Sequence, residues 1–214
     1  MLELDPEQLA RRQLRIDRKR TARFPHLLAH KARRMMVSPL AFLRGSAPLF
    51  CEVLAARPKL ADGPPGEGWL VGDAHLENFG AYRAGALSVR DTKQSHAAEP
   101  VVFDLNDFDE AAVGPFRLDV LRLTTSVLLG ARESGADGTR SLELSEALMN
   151  GYAGAAFGRR TSLPPPPPAV AALVARVRQR TRRQLLDART EIAHHHERRF
   201  VRGDHFEELA PKLR

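Results

Sequence analysis

Two short stretches hold residue types that could do chemistry together. The first is Val71-Gly72-Asp73-Ala74-His75-Leu76-Glu77-Asn78-Phe79-Gly80, and the second is Val101-Val102-Phe103-Asp104-Leu105-Asn106-Asp107-Phe108-Asp109-Glu110. Each reads as a β-prone run that enters a polar loop. Phosphoryl transfer needs a carboxylate to orient or deprotonate the acceptor hydroxyl, and oxygen ligands to hold Mg²⁺ against nucleotide phosphates. Asp73 and Asn78 would supply such a base and an amide ligand from one loop. A carboxylate at the end of the next paired strand would face that loop as the second ligand. Asp107 and Asp104 both qualify, with Asp109 beside them. Like charges packed this densely repel unless a cation or hydrogen bonds compensate, and the plain alternative is a solvated acidic turn. His75 either orients the loop or is a structural histidine, the commoner case. Asp119, on a mostly apolar helix, reads as a buried brace. Arg44, before Gly45, could take phosphate through its planar guanidinium, although a surface arginine at a helix end is more ordinary.

The elements that must position these residues are mixed. From Pro6 to about Met36 strong helix formers predict one or two exposed helices without a clean apolar stripe. Ser38-Pro39 is a helix start, Arg44-Gly45 its break, and a second helix is expected over 47–56. Short β-prone runs follow at 69–71, 79–82, 86–89 and 101–105, read as a small antiparallel set. Pro115 is expected to open an apolar core helix, with another over 142–157. Pro164 to Pro168 should form a polyproline spacer, and apolar residues at helical spacing from Val170 predict a long amphipathic helix beyond it. The expected organisation is a basic helical segment at 1–37, a core at 38–160, a spacer at 161–168 and the helix at 169–214. The fold class is α+β, predominantly helical.

Composition narrows the classes. With 214 residues, 43% hydrophobic and 28% charged, the chain is an ordinary folded mixture, and no run suits a membrane-spanning helix. Acids near Met1 and the lack of an apolar stretch after it do not fit a signal peptide, and the single Cys51 suits a reducing compartment, so a cytoplasmic location is expected. The net charge of +7 sits in the flanks, while the middle is acidic. Arg176, Arg178, Arg180, Arg182 and Arg183 have no interleaved aromatics, so specific nucleic-acid binding is not expected, and nonspecific phosphate attraction remains open. His194, His195 and His196 point in different directions on a helix and cannot share one metal ion.

Gly72-Asp73-x-His75-x-x-Asn78 resembles the catalytic loop of aminoglycoside and choline phosphotransferases, the small-molecule branch of the protein-kinase-like fold, with Val71 where the usual histidine stands. Asp107-Phe108-Asp109-Glu110 is similar to the metal-binding strand end of that fold, and Asp119 to the helix aspartate that braces its catalytic loop. Asp104 is the alternative at the metal position, and the spacing to Gly114 favours Asp107. More closely, residues 34–122 resemble the bacterial family called domain of unknown function 2252, through Arg34-Met35 with Ser38-Pro39, Phe42-Leu43-Arg44-Gly45, the Gly72–Gly80 loop, the Phe103–Glu110 acidic stretch and Gly114-Pro115-Phe116-x-x-Asp119. The resemblance implies a C-lobe-like kinase core, incomplete or permuted, with Mg²⁺ and ATP as cofactors, Asp73 as base, and Asn78 with Asp107 as metal ligands. Nucleotide and an unidentified phosphate acceptor would be its partners.

Departures from the pattern matter as much. The chain has no glycine-rich phosphate loop and no Val-Ala-Ile-Lys-like strand. Relatives usually carry a glycine-rich, lysine-bearing part after this region, so a truncated or inactive form is expected. One rival reading is a metal-dependent phosphohydrolase using Asp107-x-Asp109, against which Glu110-Ala111 and the lack of a βαβ pattern argue. Another is a pseudokinase-like module that binds a partner through its 169–200 helix.

Overall fold

The computed structural model describes residues 5–83, 100–158, 164–193 and 197–202. They fall into two units, Met1–Gly80 with Leu105–Pro164 and Ala81–Asp104 with Pro165–Arg214. The described part of the basic N-terminal segment lies in the first unit, and the described residues 81–83 and 101–104 lie in the second.

In the first unit, α1 (Pro6–Arg20) and α2 (His26–Met35) are the two helices expected. Asp5 caps α1 by accepting from the Glu7 and Gln8 amides, while Arg18, Lys19 and Arg20 suit its C-terminal dipole. The missing apolar stripe has a structural reason, because the buried residues of α1 are Gln13 and Asp17. Gln13 Nε2 donates to Asp17 Oδ2 at 2.9 Å and to the Gly45 carbonyl at 3.3 Å, and Lys31 Nζ reaches Asp17 Oδ1 at 2.6 Å. Helix α1 is thus attached by hydrogen-bonded polar groups rather than by an apolar face, with Gln13 Oε1 buried and without a partner among the described residues.

Ser38 caps α3 (Pro39–Gly45) by accepting from the Ala41 amide, and α4 (Ala47–Ala56) follows after an 84° bend. A Cβ on Gly45 would lie 2.5 Å from Met35 Cγ, so glycine lets α3 approach α2 closely. Met35, Leu43, Ala47, Leu49 and Leu54 form much of the apolar core, each large side chain contributing roughly 1.5–3 kcal/mol by burial.

The strands β1 (Glu67–Leu70), β2 (Phe79–Arg83), β3 (Val101–Leu105) and β4 (Ala112–Pro115) make two two-stranded pieces. β1 pairs antiparallel with β4, with Gly68 opposite Gly114 and Leu70 opposite Ala112, and β2 pairs with β3. The connection from β1 to β2 and that from β3 to β4 are the two chemistry-bearing loops, and this nested pairing apposes them. The strand expected at 86–89 lies outside the described residues.

Pro115 ends β4 opposite Glu67 and does not open a helix; α5 (Arg117–Glu133) starts two residues later. A proline is tolerated at a strand end in a two-stranded ribbon because no further strand needs its missing N–H. Helix α6 (Gly138–Ala156) packs on α5 and begins earlier than expected because Asp137 caps it, accepting from the Arg140 amide at 2.7 Å.

The second unit corrects the expected tail helix. α7 (Pro168–Gln179) stops at Arg180, α8 (Arg182–Asp187) restarts under a Thr181/Gln184 capping box, and β5 (Thr190–Ile192) pairs antiparallel with β6 (Arg198–Phe200). Extended backbone at Arg180 and Thr181 breaks the run, and the β-branched Thr190 and Ile192 favour the ribbon. Pro167 is extended, at φ −54° and ψ 152°, as a polyproline spacer requires, but Pro168 already opens α7. Residues 161–163 and His194, His195 and His196 lie outside the described residues. Among those described, no single helix is long and apolar enough to cross a membrane.

Candidate functional site

The Val71–Asn78 loop is held at three points. Asp119, in the first turn of α5, accepts from the Val71 amide at 2.6 Å and the Gly72 amide at 3.0 Å. Ser126 Oγ accepts from the Leu76 amide at 3.1 Å, fixing a short 3₁₀ turn over Leu76–Asn78. Asn78, 2% exposed, donates from Nδ2 to the Asp73 carbonyl at 3.0 Å and closes the loop on itself. Such double acceptance by one carboxylate fixes backbone direction and leaves Asp73 between two pinned ends.

The acidic loop is clasped to this one at both ends. The Asn106 amide donates to the Asn78 carbonyl at 2.9 Å. At the other end, Gly72 adopts φ +84°, and a Cβ there would lie 2.1 Å from the Glu110 carbonyl oxygen. Only glycine fits that approach. The two clusters singled out by residue type are thus neighbours in space.

Asp73 is held by a residue that sequence reasoning missed. Arg122, 1% exposed, donates from Nε to Asp73 Oδ1 at 2.8 Å; its Nη2 bonds the same oxygen and the Leu43 carbonyl, the latter at 2.6 Å. Its guanidinium carbon lies 5.1 Å from the centre of the Phe50 ring. Arg122 therefore fixes Oδ1, while Oδ2 of the partly exposed carboxylate stands 3.9 Å from His75 Nε2, beyond hydrogen-bond distance. His75 is 6% exposed, and its buried Nδ1 has no hydrogen-bond partner. Burial pushes its imidazole below its ordinary value; Asp73 acts in the opposite sense, and Arg44 and Arg122 add to the lowering. A neutral histidine beside Asp73 follows at neutral pH.

The remaining candidates are dispersed. Asp104 lies on β3, while Asp107 and Asp109 sit in the exposed acidic loop, where Asp107 Oδ1 accepts from the Asp109 amide at 3.4 Å. Arg44 Nη1 meets Glu77 Oε2 at 2.7 Å. No three His, Cys, Asp or Glu side chains converge as a metal site among the described residues. A Mg²⁺ ion commonly arrives with phosphate oxygens and takes one or two protein carboxylates, so this donor set suits a metal delivered by a nucleotide rather than a resident one.

The loop-facing side of α5 carries Asp119, Arg122 and Ser126, three polar residues that each bond the loop; Arg122 and Ser126 are buried, and Asp119 is half-buried like the helix's leucines. Their spacing of three and four residues places them on one helical face, which is the signal that could have revealed them. A cavity of about 630 Å³ opens beside the loop, lined by Trp69, Val71, Phe79, Leu123 and Tyr152, with Asp119 the only charged lining residue among those described. The Phe116 and Tyr152 rings stack at 6.4 Å and 26°. An apolar, aromatic wall of this kind suits a flat or greasy part of a ligand.

Fold and site define a predominantly helical α+β protein whose polar α5 face carries a Gly-Asp-x-His loop against an acidic one. The chain belongs to the bacterial family described as "Uncharacterized protein conserved in bacteria (DUF2252)", whose model matches residues 23–214. That match runs beyond the 34–122 stretch on both sides. No curated protein and no solved structure matches the chain.

Proposed function

We propose that the apposed loops form the phosphoryl-transfer centre of a kinase-like phosphotransferase. The observation that carries this reading is the pair of hydrogen bonds from the Val71 and Gly72 amides to Asp119, which hold the Asp73 loop where it meets the acidic loop at Asn106 and Glu110. Arg122 occupies Oδ1 of Asp73, and Oδ2 is left to orient an acceptor hydroxyl and take its proton. Asn78 and Asp107, with Asp104 as the alternative, would hold Mg²⁺, which would neutralise charge on the nucleotide phosphates. His75 stays neutral beside Asp73 at neutral pH and adds no positive charge to the site. The chain lacks a glycine-rich loop and its lysine, so the reading concerns the acceptor and metal half of such a site.

Calorimetric titration with ATP, with and without Mg²⁺, tests it. Magnesium-dependent binding that disappears in Asp107→Ala and persists in Asp73→Asn is expected. Binding indifferent to magnesium, or none by a folded chain, would overturn the reading. It would favour a second one, a non-catalytic module that binds a partner through its C-terminal region, where the stripe Val170, Leu173, Val174 and Val177 on α7 is only half-buried. The phosphohydrolase reading gains no support: Asp107 and Asp109 share a turn, and the described strands form two-stranded pieces rather than an open parallel sheet.

A further inference from the structure

A second concave site lies between α2 and α3, and it is basic. Its cavity, about 270 Å³, is lined by His30, Lys31, Arg34 and Arg44 over a floor that includes Met35 and Gly45. His30 and Arg34 stand one turn apart on α2, and Arg44 faces them from the last turn of α3. The close approach of the helices is set by Gly45 against Met35, so the backbone positions that carry these cations are held near one another.

The charges are unevenly satisfied. Lys31 is committed to Asp17 at 2.6 Å. Arg44 gives Nη1 to Glu77, which is half-exposed, while its buried Nε has no acceptor. The side chains of His30 and Arg34 are in no ion pair or hydrogen bond among the described residues. A cavity wall with a donor lacking an acceptor and an arginine lacking a counter-charge is matched by an anion with several acceptor oxygens.

We propose that this pocket binds the phosphate group of a small phosphorylated ligand through His30, Arg34 and Arg44, with Glu77 holding Arg44 when the ligand is absent. A tetrahedral dianion offers enough oxygens to bond both guanidinium groups and the imidazole at once, which a single carboxylate does not. The site is independent of the phosphotransferase reading, because none of its three ligand residues bonds Asp73, Asn78 or Asp107.

Inorganic phosphate is the probe, titrated calorimetrically into the whole chain at fixed ionic strength. Arg34→Gln and Arg44→Gln should each weaken binding about tenfold, the size of a lost charge-assisted hydrogen bond. Arg33→Gln, which removes an equal charge from the neighbouring position on α2, should change it less than about twofold. Glu77→Gln should tighten binding by releasing Arg44, an effect that damaged folding does not mimic. Equal weakening by Arg33→Gln and Arg34→Gln would overturn the proposal in favour of diffuse attraction. So would a short DNA duplex that binds tightly and is not displaced by phosphate, since the surface would then be reading nucleic-acid charge.

Discussion

Gly72 and Arg122 do different work on the same carboxylate. Gly72 gives the loop a backbone that no side chain tolerates, at φ +84° with the Glu110 carbonyl against its α-carbon. Gly72→Ala is therefore expected to cost about 2 kcal/mol or more, read as a lower urea midpoint, and to separate the two loops. A variant as stable as the parent would mean that the loops are not clasped there. Arg122 fixes which carboxylate oxygen is free. At this scale Asp73, Asn78 and Asp119 were legible as types and spacings, whereas Arg122 was not. Arginine is read as a surface residue by default, and only its three-residue distance from Asp119 betrays a shared face. Arg44 was legible as a phosphate candidate but not its pairing with Glu77, because their contact depends on how α3 meets the loop.

Helices here carry polar information on the faces they bury. Helix α1 docks through Gln13 and Asp17, and α5 through Asp119, Arg122 and Ser126. Apolar periodicity, the main sequence signal for a buried face, is therefore weak where these helices matter most. Asp17→Ala should destabilise the chain by about 2–3 kcal/mol in urea unfolding, because it strips Lys31 and Gln13 of their buried acceptor. A loss similar to that of an exposed substitution such as Glu7→Ala would mean that α1 is not held this way. Start signals were the readable part: Ser38-Pro39 opens α3 as its residues predict. Pro115 misled because proline suits both a first helical turn and a strand end, and pairing with Glu67 decides between them. The tail misled because its apolar spacing continues through Arg180 and Thr181, where capping geometry ends one helix and begins another.

For the molecule as a whole, the chain order β1, loop, β2 and β3, loop, β4 explains how two motifs nearly forty residues apart come to share one place. The predominantly helical α+β class was readable from composition and turn signals. The nested strand pairing was not, since it depends on long-range partners that no local pattern specifies. The grouping into two units is hidden from local patterns for the same reason: the described residues 81–83 and 101–104 go with the C-terminal unit by contacts between distant segments. The strongly basic flanks also resolve unevenly. Much of the charge is exposed helix surface, but around α2 and α3 it encloses a pocket.

If the Gly72–Asn78 and Asn106–Glu110 loops make a single site, both must meet the same metal-bound nucleotide. Nuclear magnetic resonance of the labelled chain with ATP and paramagnetic Mn²⁺ in place of Mg²⁺ tests it most directly. The account predicts that amides of both loops broaden together, at the same Mn²⁺ level, and that Asp107→Ala abolishes the effect in both. Broadening of one loop alone, or confined to the amides around His30 and Arg34, would contradict it.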